Sequence, residues 1–231
     1  MELTEIIPPR AQPAVASAIK ELAYRTGLHR LIFYRYDYMF RPRELASLVS
    51  LLTETTGLPG PILELGCAAG HSTVYLNKHL DDLDDHRSYY CFDTFEGFTE
   101  DDIEVEVERG HDPNLYRNLF RAYRKDWFDR TMANNQVTRV ESIKADVTRY
   151  DFSRFDQISF CLIDVDLKRP VERALESVLP QMAAGGVIVV DDCTPGVKFD
   201  GAYAAYMEAV EREGRPAEIL HDKLGLIRVP A

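Results

Sequence analysis

Four aspartates stand where two apolar stretches of the sequence end, in the segments LIDVDL and VIVVDDC. They are Asp164, Asp166, Asp191 and Asp192. Carboxylates held close together repel one another and raise one another's pKa, so a bound cation is the simplest way to keep several of them ionised. Aspartate oxygens suit a hard ion such as magnesium, which retains water and also accepts substrate oxygens. We therefore predict that Asp164, Asp191 and Asp192 hold a divalent metal.

Each acid taken singly also has a structural explanation. Asp192 could cap the helix that follows it, and Asp166 could cap the segment before Pro170, because aspartate side chains accept hydrogen bonds from free backbone N–H groups. The grouping of all four acids at the ends of two apolar stretches favours a metal site over a set of separate caps.

A second segment, ELGCAAGHS, has the composition of a cofactor-binding turn. It supplies Glu64 at the end of a short apolar run, then Gly66 and Gly70 around small residues. Small residues let the backbone approach a ligand, and the helix that follows offers its N-terminal N–H groups. Such a turn can also be no more than a tight connection, and it departs from the G-x-G-x-x-G pattern of nicotinamide-binding sites. Asp93, at the end of the next apolar run, favours a nucleotide, since a carboxylate there can accept hydrogen bonds from both ribose hydroxyls.

These residues need a scaffold that brings the ends of several strands together. The sequence predicts strands at ILEL, YYCFDTF, VESIKAD and the two runs that precede the acids, with helices at about residues 73–79, 114–129 and 170–182. A helix at about residues 202–213 and two short strands, AEILHD and LGLIRV, follow. Strands that alternate with helices indicate a doubly wound α/β fold with a mostly parallel sheet, here closed by an antiparallel hairpin. In such a sheet, ligands bind outside the carboxyl ends of the strands, where the candidate residues lie.

Three segments flank or interrupt this pattern. Helical spacing at residues 14–26 and 43–55 predicts two N-terminal helices, separated by the aromatic-rich stretch at residues 31–40. The aromatic side chains could pack as core or form a lid over a ligand. The acidic segment at residues 100–113 has little apolar content, so we predict a mobile loop that covers the acceptor site when ligands bind.

Composition limits the class of protein. With 231 residues, of which 45% are hydrophobic, the chain is long enough for one large domain. A formal net charge of -11 argues against binding to nucleic acid, which depends on Lys and Arg at the phosphates. Neither a signal peptide nor a stretch long and apolar enough to span a bilayer is evident, so we expect a cytoplasmic protein. The cysteines form no C-x-x-C pair, which favours free thiols over a zinc site.

Together these segments resemble the class I S-adenosylmethionine-dependent methyltransferases. ELGCAAG is similar to the first motif of that family, Asp93 to its ribose-binding acid, and Asp146 in KADVT to the acid that reaches the adenine edge. The resemblance spans about residues 61–190 and implies a Rossmann-like fold with S-adenosylmethionine as the cofactor. It implies one methyltransferase domain over the whole chain, with a helical extension or lid at residues 1–57 and a catalytic core at residues 58–231. The implied cofactor contacts are Glu64, Gly66, Cys67, Ala68, Gly70, Ser72, Asp93, Thr94 and Asp146.

FDTFEGF, LIDVDL and VIVVDDC further resemble the macrocin O-methyltransferase family, which methylates sugar hydroxyls of natural-product glycosides with help from a divalent metal. Its members usually carry a pattern close to H-x-D-x-D-L-Y, where this chain has Leu162 in place of the histidine and Lys168 in place of the tyrosine. By this resemblance Asp166 is the general base that takes the hydroxyl proton, because it lies two residues beyond Asp164 and nearer the loop. His111, in the acidic segment, is the rival base.

The resemblance thus implies metal-dependent methyl transfer from S-adenosylmethionine to a hydroxyl of a small molecule, a sugar of a natural-product glycoside, and it allows a homo-oligomer. A catechol or other vicinal diol is the alternative acceptor, since adjacent oxygens chelate a metal equally well on an aromatic ring. A non-catalytic cofactor-binding protein is the second alternative, and the four intact acids argue against it.

Overall fold

The structure is a computed structural model that describes residues 12–26, 36 and 38–231. The chain divides by its internal contacts into two units, Met1–Tyr38 and Met39–Ala231. The second unit contains every strand and every candidate site residue, so the account of the site concerns that unit alone.

The two N-terminal helices are present close to their predicted bounds. Helix α1 (Gln12–Arg25) lies in the first unit and α2 (Pro42–Glu54) in the second. The predicted division assigns α2 to an extension at residues 1–57, whereas by its internal contacts α2 belongs to the unit that contains the sheet. The functional division into extension and core stays a proposal. Most of the aromatic stretch at residues 31–40 lies outside the described residues, and its role as core or lid stays a prediction.

Seven strands form one sheet in the order β3-β2-β1-β4-β5-β7-β6. They are β1 (Ile62–Leu65), β2 (Tyr89–Asp93), β3 (Val140–Lys144), β4 (Ile158–Ile163), β5 (Met182–Val190), β6 (Glu218–Leu220) and β7 (Leu224–Arg228). Strands β1 to β5 pair in parallel, whereas β7 runs antiparallel to both β5 and β6. The predicted doubly wound, mostly parallel sheet with an antiparallel C-terminal hairpin is confirmed.

Helices cover the sheet, which explains why its central strands are mostly apolar. The remaining helices are α3 (His71–Asp82), α4 (Glu100–Glu108), α5 (Lys125–Asn134), α6 (Lys168–Val178) and α7 (Asp200–Arg212). Every residue of β1 and of β4 is buried, and Val171, Leu175 and Tyr206 of α6 and α7 belong to the same core. A strand buried on both faces is a nearly continuous apolar run, and each large apolar side chain so buried contributes about 1.5–3 kcal/mol. None of the helices that the structure describes is long and apolar enough to cross a membrane.

The acidic segment at residues 100–113, predicted as a mobile loop, is instead helical over most of its length, as α4. Thr99 caps this helix, since its Oγ1 accepts a hydrogen bond from the Asp102 backbone N–H at 3.2 Å. Three acids fill the first turn, where the helix dipole favours negative charge. Ile103 and Glu106 are buried. The prediction of a loop was wrong because a capping residue and buried polar contacts specify this helix, and apolar periodicity contributes little. That the segment covers the acceptor site when ligands bind stays a prediction.

The prediction of a helix at residues 114–129 was also wrong in its bounds. The helix in this region is α5, which begins only at Lys125. A single 3-10 turn, Pro113–Leu115, comes first. Phe120 has a φ of +59°, in the left-handed region that interrupts a helix. Helix α5 then packs beside β3 and buries Phe128 and Met132.

The order of strands reverses between β1 and β4. The chain moves outward from β1 through β2 to β3, then returns to the other side of β1 and moves outward through β4 and β5. Such a reversal opens a crevice at the carboxyl ends of the two strands that flank it. The glycine turn follows β1 and the first two aspartates follow β4, so both border this crevice.

Candidate active site

The glycine turn after β1 and the first acid after β4 are direct neighbours. The backbone N–H of Asp164 donates to the carbonyl of Leu65 at 2.7 Å, so the pairing of β1 with β4 continues as far as the acid. Gly66 has a φ of +84°, and a Cβ atom there would lie 1.8 Å from the carbonyl oxygen of Asp164. Only glycine permits so close an approach. The predicted cofactor turn and the predicted metal acids therefore share one edge of the sheet.

Asp93, the predicted ribose acid, holds the glycine turn in place. Its Oδ2 accepts hydrogen bonds from the backbone N–H groups of Cys67 at 3.0 Å and Ala68 at 2.9 Å. Its Oδ1 accepts one from Phe95 N–H at 2.7 Å. A carboxylate offers about four acceptor positions, so roughly one remains for a ligand. A ribose diol that used both of its hydroxyls here would have to displace one of the backbone donors.

Glu64 lies beneath the turn and is fully buried. Its Oε1 accepts a hydrogen bond from Ser72 Oγ at 2.6 Å, and its Oε2 accepts one from the Tyr89 hydroxyl at 2.8 Å. Burial raises the pKa of Glu64, and these hydrogen bonds act against that shift. Glu64 thereby ties β1 to α3 and β2. Its oxygens are engaged inside the protein, and direct contact of Glu64 or Ser72 with the cofactor stays a prediction.

Three further predicted cofactor residues lie at the same edge of the sheet. Gly70 begins α3 with a φ of +83°, packed against α5. Thr94 follows Asp93 and donates from Oγ1 to a carbonyl of its own loop at 2.7 Å. Asp146 lies just beyond β3, and its Oδ1 accepts a hydrogen bond from the Thr148 backbone N–H at 2.8 Å. The structure thus brings the predicted contacts together around the ends of β1, β2 and β3, and their binding role stays a prediction.

The four aspartates form a cluster at the carboxyl ends of β4 and β5. Burial, and then the charges of Asp191 and Asp166, raise the pKa of Asp164 well above its ordinary value. Burial and the neighbouring Asp192 raise the pKa of Asp166 well above its ordinary value. Burial also raises the pKa of Asp191 to about 6. The acids repel one another, as expected for carboxylates on adjacent strand ends.

Two of these acids occupy unusual backbone conformations. Asp166 has a φ of +63° and Asp192 a φ of +56°. The N–H of Leu167 donates to the carbonyl of Val165 at 2.7 Å, which closes a three-residue turn with Asp166 at its centre. A residue other than glycine in the left-handed region costs on the order of 1–3 kcal/mol, and such strain concentrates at functional sites.

Lys223, which our reading of the sequence missed, places a cation in the cluster. Its Nζ lies 2.5 Å from Asp191 Oδ2 and 3.2 Å from Asp192 Oδ1, and 4.8 Å from the centre of the Phe40 ring. Burial acts to lower the pKa of Lys223, but the neighbouring acids outweigh it and the pKa is raised. A signal was present in the sequence. Because β7 runs antiparallel to β5, a lysine directly before β7 has to meet acids directly after β5.

The donor chemistry of the cluster fits an oxygen-preferring cation. Asp191 is 5% exposed, and its Oδ1 is buried without a hydrogen-bond partner. A buried polar atom left unpaired costs about 1–3 kcal/mol, and more when charged, which a bound cation would relieve. The ligand atoms of Asp164, Asp191 and Asp192 do not all lie within 4.8 Å of one another. Their role as metal ligands therefore stays a prediction.

Glu106, His111 and Asp200 are, in the described part of the chain, the one set of metal-type groups whose ligand atoms all lie within 4.8 Å of one another. Arg109 already pairs with both acids of this set, with nitrogens 3.0 Å from Glu106 Oε2 and 2.7 Å from Asp200 Oδ1. His111 Nε2 lies 3.1 Å from the same Asp200 oxygen, and Glu106 Oε1 accepts the Lys168 backbone N–H at 2.7 Å. This network fastens α4 to the first turns of α6 and α7, and it places the rival base beside a carboxylate.

A cavity of about 560 Å³ opens beside the carboxyl ends of β2 and β3. It is lined by Phe95, Glu96, Arg121, Tyr123, Arg124, Lys125, Asp126, Asp129 and Lys144. Its lysines and arginines are paired with carboxylates of the lining or of α4. The cavity adjoins the predicted ribose acid through Phe95, whose N–H bonds to Asp93, so it extends the nucleotide side of the site away from the acid cluster.

The sequence profile of a family described as "Methyltransferase domain" matches residues 63–193. This span begins in β1 and ends just after the acids that follow β5, so it includes both the glycine turn and the four aspartates. No curated protein sequence gives a significant match to the chain.

Solved structures share the fold. The O-methyltransferase NovP is 16% identical, with 85% of this chain and 84% of NovP covered and a TM-score of 0.69. CalS11, a calicheamicin methyltransferase, is 21% identical, with 81% and 80% covered and a TM-score of 0.65. A putative caffeoyl-CoA O-methyltransferase from Staphylococcus aureus is 13% identical, with 92% and 91% covered and a TM-score of 0.54. At these identities the likeness establishes the fold.

Proposed function

The chain belongs to the methyltransferase domain family, and on that premise we propose that it transfers a methyl group from S-adenosylmethionine to a hydroxyl group of a small molecule. The proposed acceptor is a sugar of a natural-product glycoside, and a divalent metal takes part. The observation that carries the proposal is the approach of Gly66 to the Asp164 carbonyl, which joins a cofactor turn to an acid cluster. CalS11, one of the similar structures, is described as a TDP-rhamnose 3'-O-methyltransferase, which supports a sugar acceptor.

The cofactor side of the site is formed by the ends of β1, β2 and β3. When bound, S-adenosylmethionine would supply an electrophilic methyl group attached to a positively charged sulfur. Asp93 would hold the ribose through its open acceptor position, and Asp146 would face the adenine edge. Glu64 and Ser72 would act through the turn, whose position they fix. These residues bind and orient, and the geometry they set decides how closely the methyl group approaches the acceptor.

The acceptor side is formed by the acid cluster. A divalent metal held by Asp164, Asp191 and Asp192 would lower the pKa of the acceptor hydroxyl and orient it. Asp166 would then take the hydroxyl proton. Burial and the neighbouring Asp192 raise the pKa of Asp166, which makes its carboxylate a stronger proton acceptor. His111, oriented by its hydrogen bond to Asp200, is the alternative base.

A catechol is the second candidate acceptor. Two adjacent phenolic oxygens would bind a metal at the acid cluster as well as a sugar diol would. The similarity of the fold to that of a putative caffeoyl-CoA O-methyltransferase supports catechols as the second acceptor class.

The first experiment measures methyl transfer from S-adenosylmethionine to a panel of glycosides, nucleotide-linked sugars and catechols, with Mg²⁺ and with EDTA. We expect transfer to a sugar hydroxyl, lost on chelation and restored by added metal. Transfer to catechols alone would select the second candidate. Transfer that EDTA leaves unchanged would refute the role of the metal, and failure to bind S-adenosylhomocysteine would refute methyl transfer itself.

A second experiment separates the acids by role. Alanine at Asp164, Asp191 or Asp192 should weaken Mg²⁺ binding and methyl transfer together. Asp166→Asn should keep cofactor and metal binding, yet lose roughly two to four orders of magnitude in single-turnover rate, the usual contribution of a positioned base. If Asp166→Asn abolishes Mg²⁺ binding in a calorimetric titration, Asp166 is a ligand and His111 becomes the base.

A further inference from the structure

The two oxygens of the Asp191 carboxylate have different surroundings. Oδ2 accepts a hydrogen bond from Lys223 Nζ at 2.5 Å, whereas Oδ1 is buried and has no hydrogen-bond partner. A buried carboxylate is ordinarily satisfied on both oxygens, because each lost hydrogen bond to a charged group is expensive. The lysine therefore fixes one oxygen and leaves the other turned toward the interior.

Lys223 is itself held firmly beside the acids. The backbone N–H of Cys193, the residue after Asp192, donates to the Lys223 carbonyl at 2.7 Å, and the Lys223 N–H donates to the carbonyl of Leu220 at 3.0 Å. The ring of Phe40 lies under the ammonium group, 4.8 Å away. The backbone of the lysine is thus fixed to the same segment that carries the acids, and its side chain is confined between a ring and two carboxylates.

We propose that Lys223 is a positioning residue for the metal site: by holding Oδ2 of Asp191, it turns Oδ1 into the cluster as a ready ligand for a divalent cation. This inference rests on the proposed metal-dependent function. Carboxylates that bind metals are usually held by a hydrogen bond on the oxygen away from the metal, and removal of such partners typically weakens metal binding by about 10- to 100-fold. Lys223 supplies that bond from the C-terminal hairpin.

The ammonium group also repels a divalent ion, so two effects oppose each other. The Lys223 side chain is 22% exposed, while that of Asp191 is 5% exposed. Water therefore reaches the lysine and screens its repulsion, but it does not reach the carboxylate and cannot replace the lost hydrogen bond. Without Lys223, the buried carboxylate would lose the charged hydrogen bond that holds Oδ2 and would be freer to turn. Orientation of Asp191 outweighs repulsion, and the net effect of the lysine is tighter metal binding.

The test is calorimetric titration of the full chain with MgCl₂, in the presence of saturating S-adenosylhomocysteine. Lys223→Met should weaken Mg²⁺ binding about 10- to 100-fold, and Lys223→Arg, which keeps donors and charge, should recover most of it. Lys78→Met is the control, because Lys78 is a lysine of α3 whose Nζ pairs with Asp81 at 3.4 Å and lies outside the segments that carry the acids. It should leave Mg²⁺ affinity unchanged.

Several outcomes would overturn the inference. Equal or tighter Mg²⁺ binding by Lys223→Met would mean that the lysine only competes with the metal. Should Lys223→Met lose S-adenosylhomocysteine binding through misfolding, Lys223→Gln takes its place with the same expectation of weaker Mg²⁺ binding and the same refuting result. Wild-type protein that binds S-adenosylhomocysteine but no Mg²⁺ would refute the proposed metal site together with this inference.

Discussion

Replacement of Asp93 with alanine should damage both the glycine turn and the binding of the nucleotide. In the structure the carboxylate accepts three backbone N–H groups, from Cys67, Ala68 and Phe95. Loss of the acceptor removes about 1 kcal/mol per hydrogen bond, or about 3 kcal/mol of unfolding free energy in total. For a protein of this size, each 1 kcal/mol shifts Tm by roughly 2–4 °C, so a decrease of roughly 6–12 °C is expected.

The effect on affinity follows from the acceptor capacity of Asp93. Since three of its four positions are used by the backbone, a ribose gains about one net hydrogen bond to the carboxylate, worth about 1.5–3 kcal/mol. Asp93→Ala should therefore raise the Kd for S-adenosylhomocysteine roughly 10- to 150-fold. A larger loss would show that the turn rearranges on binding and releases both oxygens to the ribose.

Calorimetric titration and thermal unfolding measure the two effects separately. Asp151→Ala is the matched control: Asp151 accepts the Ser153 N–H at 3.0 Å in an exposed turn. That variant should change stability by no more than about 0.5 kcal/mol and leave affinity unchanged. If Asp93→Ala binds S-adenosylhomocysteine as tightly as wild type, the assignment of this edge of the sheet to the nucleotide is wrong.

Two further predictions concern the scaffold. Arg87→Met should lower unfolding free energy by about 3–5 kcal/mol in urea titrations, because it leaves the buried Asp85 carboxylate without its partner, whereas Arg173→Met, at an exposed pair, should cost no more than about 1 kcal/mol. Burial acts to raise the pKa of Asp85, but its bonds with Arg87 outweigh burial and lower it. The advantage of wild type over Arg87→Met should thus be full above about pH 4 and decrease as pH falls through the lowered pKa. The bonds of Arg87 to Thr55 and Ser159 leave a remainder that does not depend on Asp85, and an advantage wholly independent of pH would contradict the pairing. Arg109→Met should speed limited proteolysis within α4, because this arginine ties α4 to α7; cleavage no faster than in Arg117→Met, an exposed-pair control, would show that the tie does not hold the helix.

The positions of the acids could be predicted because burial makes the strand ends visible in the sequence. A strand covered on both faces is a nearly continuous apolar run, so acids that directly follow the run mark its carboxyl end. Asp164 follows Ile163, the last residue of β4, and Asp191 follows Val190, the last residue of β5. The same reasoning located Asp93 at the end of β2. The parallel topology then gathers these ends on one edge, without any need to know the tertiary contacts.

Helix α4 and Lys223 could not be predicted in this way, since their partners lie far along the chain. Arg109 pairs with Asp200, 91 residues away, and Lys223 with Asp191, 32 residues away. Neither pair leaves a periodic pattern in the sequence, and the signal for Lys223 lies only in the antiparallel pairing of β7 with β5. The surroundings of His111 were equally hard to predict. In the sequence it is an isolated histidine of the acidic segment, and only the fold places it beside Asp200.

Asp166 and Asp192 hold left-handed backbone conformations that glycine adopts freely. Selection of this protein for thermal stability would therefore favour glycine at either position, because the substitution relieves backbone strain and the repulsion between the acids. If these acids act as proposed, the resulting variants would be more stable but inactive, the usual conflict between stability and activity. Libraries built to stabilise the enzyme should hold these two codons constant and look for gains on the surfaces of the outer helices.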